Sequence, residues 1–88
     1  MYEEALKELI QEAANSFFQE KTNYKLSCAY KVELEPGPFL ISFKAEVAAA
    51  DKDPKYGEYF IVSGYLSSKI VCTGIENKQT KERLYERR

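Results

Sequence analysis

The chain has no histidine and no tryptophan. Without histidine the commonest general base and metal ligand is gone, and with it every Ser-His or Cys-His nucleophile arrangement. No phosphate-cradling glycine loop, dinucleotide-binding glycine pattern or CxxC spacing occurs either. Carboxylates remain, but a pair such as Glu33 and Glu35 falls on the polar face of an alternating run, where solvation is their ordinary role. The expectation is a non-enzyme with no catalytic residues, no cofactor and no metal.

Other absences bound the setting. No apolar run approaches the ~20 residues of a membrane span, and the start is acidic and amphipathic, unlike a signal peptide. A cytoplasmic location without membrane contact is expected. The only cysteines, Cys28 and Cys72, fall on strands three places apart in a simple meander, about 14 Å and too far for a disulfide. Both are expected reduced and mostly buried. The formal net charge of -1 supplies no overall field for nucleic acid or an anionic membrane.

What is present reads as one folded domain over residues 1–88, with a core to residue 76 and a charged tail or short helix over 77–88. Hydrophobic residues at 44% and charged residues at 31% argue against a disordered chain. The centre of organisation is residues 24–50. Tyr24, Leu26, Cys28, Tyr30, Val32 and Leu34 alternate with polar residues, and Phe39, Ile41, Phe43, Ala45, Val47 and Ala49 repeat the pattern beyond Pro36-Gly37-Pro38. Matching apolar with apolar sets Leu34 opposite Phe39, Val32 opposite Ile41, Tyr30 opposite Phe43, Cys28 opposite Ala45 and Leu26 opposite Val47. Each arm would reach about 40 Å, which predicts a strong twist or a bulge.

Residues 1–22 place Tyr2, Leu6, Leu9, Ile10, Ala13 and Phe17 at helical spacing, with Phe18 at the edge of the stripe. Early glutamates suit the helix N-terminus, and Thr22-Asn23 marks a stop. Asp51, Asp53, Pro54 and Gly57 make a turn without the ligand spacing of a calcium loop. Two more strands follow, at about 58–66 and 69–75, joined by Ser67-Ser68. Both of their faces are apolar: Phe60, Val62 and Leu66 against Tyr59, Ile61 and Tyr65, then Ile70 and Cys72 against Val71 and Ile75. A cover for the outer face, from the tail or from a partner, is therefore expected. Asn77 is placed to cap a short terminal helix.

The fold class is α+β: a helix at about 3–21 packed on a four-stranded antiparallel meander, with a possible short C-terminal helix. A sheet of long strands wrapping one helix resembles the cystatin-like arrangement. Cystatin inhibitors carry a Gln-Val-Val-Ala-Gly-type first loop and a Pro-Trp second loop; this chain has Glu35-Pro36-Gly37-Pro38 and Ser67-Ser68, so protease inhibition does not carry over. A terminal helix would make the order similar to a double-stranded-RNA-binding domain, with Lys78, Lys81, Arg83, Arg87 and Arg88 as the basic strip.

Tyrosine is the compositional hint, with seven in the chain. Tyr2, Tyr24 and Tyr30 fall in core stripes. Tyr56, Tyr59, Tyr65 and Tyr85 have no core assignment and, with Ile61, form the expected partner-binding patch. The functional expectation is a non-catalytic protein-binding module of adaptor or inhibitor type, self-associating as a homodimer, with nucleic-acid binding through the basic tail as the alternative.

Overall fold

Helix α1 spans Tyr2–Lys21 in the computed structural model, which describes residues 2–24, 26–49 and 58–87. The turn segment 51–57, with Tyr56, and the side chain of Tyr2 lie outside the described residues. Glu3 and Glu4 sit in the first turn and Lys21 in the last, each matched in sign to the helix dipole. Thr22 ends the helix: its N–H and its hydroxyl donate to the Phe18 carbonyl at 3.0 and 2.7 Å. The same hydroxyl accepts the Tyr24 N–H at 3.3 Å.

The buried row is Ile10, Ala14 and Phe18, all 0% exposed, at i, i+4 and i+8. This corrects the stripe read from the sequence by about one residue. Leu9 is 55% exposed, and Ala13 and Phe17 flank the row instead of centring it. The cause is an aromatic cluster: Phe18 stacks on Tyr24 at 5.6 Å and meets Phe60 at 4.9 Å, while Tyr24 meets Phe60 at 5.3 Å. Ala14 in the middle of the row lets the helix lie close to the sheet. Burying side chains such as Ile10 and Phe18 contributes about 1.5–3 kcal/mol each.

The sheet has five antiparallel strands in the order β1-β2-β3-β4-β5: Ser27–Pro36, Ile41–Ala49, Glu58–Leu66, Ile70–Asn77 and Arg83–Glu86. Four strands were expected, and a tail or helix stands in that reading where β5 is found. Asn77 does cap, with Oδ1 accepting the N–H groups of Gln79 and Thr80 at 2.9 and 3.0 Å. The turn stops there because Lys81 takes a left-handed φ of 67° and reverses the chain. Leu84 and Tyr85 then pair with β4 as a strand.

The β1–β2 register also differs. Leu34 faces Phe43, Val32 faces Ala45 and Pro36 faces Ile41, four residues on from the expected match of Leu34 with Phe39. A shift by an even number leaves every side chain on its face, so face-matching does not distinguish the two registers. The turn does: the Gly37 N–H donates to the Leu40 carbonyl at 2.9 Å. A Cβ at Gly37 would sit 2.9 Å from that same oxygen, so the close approach needs glycine. Phe39 is left on the hairpin tip, 96% exposed.

The inner face carries Val32, Phe43, Ala45, Val47, Ala49, Phe60, Val62 and Ile75. Phe43 lies over Gly64, its cross-strand partner, where a Cβ would come within 2.5 Å of the ring. Ser27 ties this layer to the helix, donating to Asn15 Oδ1 at 2.6 Å and accepting from Gln19 Nε2 at 3.0 Å.

Candidate binding face

Three irregularities decide which side chains leave the core. The first is a bulge in β1 between Ala29 and Lys31. A bulge sets two residues of one strand opposite a single residue of its neighbour, and both side chains then point to one side. Ala29 therefore turns inward, and Tyr30 joins Lys31 on the outer face opposite Glu46. This corrects the core assignment of Tyr30, Cys28 and Leu26: Tyr30 is 45% exposed, Leu26 63% exposed, and Cys28 is exposed as a free thiol. The arm length had signalled a bulge; its position depends on the opposite strand, so it was not readable from β1 alone.

The second bulge separates the pair Ser63–Gly74 from Gly64–Cys72 and leaves Thr73 as the extra residue. Ile70, Cys72 and Ile75 consequently all pack on the inner side, and Val71, opposite Tyr65, stays outside the core cluster. Burial beside the helix raises the Cys72 thiol to about 11. The third lies in β5, where Ile75 pairs with Tyr85 and Glu76 with Arg83 across Leu84. Tyr85 points inward, edge-on to Phe17 at 5.2 Å, with the Lys21 ammonium over its ring at 5.2 Å. It seals the flank of the helix and does not belong to the expected patch. Tyr85 thus covers the inner side, while on the outer face Tyr30 and Tyr59 stay exposed and Ile61 and Tyr65 are half-buried.

Of the expected binding residues, the structure brings Tyr59, Ile61 and Tyr65 together on the outer face of β3. It sets Tyr85 on the opposite side, and Tyr56 lies outside the described residues. Tyr30 is the addition the sequence reading missed. Its ring meets Tyr59 at 6.4 Å and 75°, and the two form walls of an open cleft of about 460 Å³ completed by Lys78 and Gln79. Lys78, one of its walls, carries its ammonium to Glu46, 2.5 Å from Oε1.

The electrostatics follow from this packing. The hydrogen bond and charge of Lys78 hold the Glu46 carboxyl below its ordinary range, against the burial that would raise it. Lys78 is raised, chiefly by its bond to Glu46. Tyr30 is raised by burial first and then by the neighbouring Glu46 charge. The turn around Lys78 is fixed by its own backbone, since the Lys78 N–H donates to the Tyr59 carbonyl at 2.8 Å and Gln79 Oε1 accepts the Tyr59 N–H at 3.4 Å.

Arg88 lies outside the described residues, and the described basic residues of the tail go to separate places. Lys78 is bound to Glu46, Arg83 lies 3.7 Å from Glu86, and Arg87 lines a groove beside Phe17 and Cys72. Glu33 is an exposed partner of Lys31 at 3.2 Å. No described helix is long and apolar enough to cross a membrane, and no cluster of metal-binding side chains occurs among the described residues. No protein-family model, curated protein or solved structure matches the chain.

Proposed function

We propose that the protein is a non-catalytic binding module that engages a protein partner through the outer face of β1 and β3, in the manner of an adaptor or inhibitor. The observation that carries this reading is the row Tyr30, Tyr59, Ile61 and Tyr65 on the sheet face opposite the helix, where Tyr30 and Tyr59 stay exposed. Tyrosine gives large contact area with few rotatable bonds and a polar tip, which suits a surface that is wet when free and dry when bound. At ~25 cal/mol per Å², partial burial of four such side chains contributes several kcal/mol before the cost of association.

In the absence of another partner the same face pairs two copies about a twofold axis, since such a contact hides one patch on both chains. Two free thiols suit a reducing compartment such as the cytoplasm. The cystatin-like likeness is an expectation of element order alone and brings no inhibitory activity with it. Nucleic-acid binding has less to stand on, because the segment that would form its second helix is a turn and a short strand.

Sedimentation at tens of micromolar tests the reading. A dimer that Tyr65→Glu converts to a folded monomer is the expected result. A monomer at all concentrations removes the self-association, and turnover of a small substrate abolished by Glu33→Gln or Glu35→Gln would replace the binding reading altogether.

A further inference from the structure

We infer that the Tyr30–Tyr59 cleft receives an arginine side chain of the protein partner, seated on Glu46 in the place that Lys78 occupies here. The inference rests on the outer face being the binding face and names what this cleft recognises.

Glu46 is the reason to expect a cation. The Glu46 side chain is only 18% exposed, whereas the carboxylates of Glu3, Glu20, Glu33 and Glu86, each in an ion pair of its own, are 67–70% exposed. A carboxylate this shielded needs a charged or hydrogen-bonding companion. An incoming anion aimed at Lys78 would meet Glu46 at the same spot, so the cleft disfavours acidic groups.

The walls are the reason to expect arginine. A guanidinium is planar, stacks on aromatic faces and is more weakly hydrated than an ammonium, and it binds both oxygens of a carboxylate at once. Two phenol rings at 75° supply a face and an edge for its plane, and the Glu46 carboxylate has more lone pairs than the Lys78 ammonium alone can fill. Lys78 is a replaceable occupant. Its side chain is 43% exposed, and its backbone is held by the Tyr59 carbonyl and the Asn77 cap, so the ammonium can swing away while the turn stays formed.

The test is a titration of the whole chain with N-acetyl-arginine methylamide, followed by amide chemical shifts, with the lysine and glutamate analogues in parallel. Saturable shifts at Tyr30, Glu46, Tyr59, Lys78 and Gln79, larger for arginine than for lysine, are expected. Glu46→Gln should weaken arginine binding about tenfold, the scale of one lost charge-assisted bond. Lys78→Met removes the competitor and should tighten it several-fold. Absence of saturable arginine shifts in both the natural chain and Lys78→Met, or shifts that Glu46→Gln leaves unchanged, would overturn the proposal. A response to the glutamate analogue alone would overturn the arginine assignment and leave the outer face standing as the binding surface. Loss of association in Tyr65→Glu speaks only to that wider face.

Discussion

The two faces of the sheet use the same strands for opposite ends. On the inner face Phe43, Ala45, Val47, Phe60 and Val62 are at most 1% exposed and interlock large against small beneath Ile10, Ala14 and Phe18. On the outer face Tyr30 and Tyr59 keep 45% and 38% of their surface in water and meet each other edge to face. One helix can cover only one side of a sheet. The side it covers is therefore under packing constraint, and the side it leaves is free to carry shape and charge for something else. Mutations should separate the two.

The largest effect belongs to the inner face. Phe18→Ala should cost about 3–5 kcal/mol in urea denaturation, because its ring joins Tyr24 and Phe60 and collapse into the gap would have to drag the helix. Phe17→Ala, one residue away at the flank, should cost less than half of that. Equal losses would mean that the buried row does not centre on Phe18. Next comes Tyr85→Ala, at about 1–2 kcal/mol from lost area and one aromatic pair. Tyr59→Ala on the outer face should fall within about 1 kcal/mol while impairing association, and a greater loss of stability would erase the contrast between the faces.

The smallest effect is the most specific to the outer face. Glu46 has a depressed pKa, so its pair with Lys78 contributes above the ordinary 4.5 and is lost as pH falls through the folded value. Lys78 is raised, so its contribution is present below the ordinary 10.5 and is lost as pH rises through the folded value. Tyr30, also raised, adds to the alkaline loss above 10.0. Thermal midpoints from about pH 3 to about pH 11 should fall at both ends less steeply in Glu46→Gln than in the natural chain. Parallel curves would show that the pair contributes nothing.

The sequence revealed most where a pattern is local. Helix α1 and the limits of β3 followed from periodicity and punctuation, and the alternation of β2 from Phe43 to Ala49 placed its residues on the right face. It revealed least where the answer depends on another strand. Tyr30 continues the alternation of β1 without a flaw, and only pairing with Val47 and Glu46 shows that Ala29 must turn inward. Asn77 signalled a cap, but whether one turn or a helix followed was set by Lys81 and by the pull of Leu84 and Tyr85 toward β4. Tyr59, Ile61 and Tyr65 were legible as a patch because β3 runs regularly beside β2. Tyr85 was misplaced because β5 was not foreseen.

The bulge at Tyr30 has a further effect on the outermost strand. β1 is ten residues long and forms one border of the sheet, the kind of border along which identical chains stack into fibres. Stacking needs an even spacing of donors and acceptors along the border. The extra residue at position 30 breaks that spacing a third of the way along, and Pro36 at the far end offers no N–H. The distortion that turns a tyrosine toward a partner also makes the border a poor template for another copy of itself. A chain with position 30 deleted would have a straighter border and a greater tendency to form insoluble fibres.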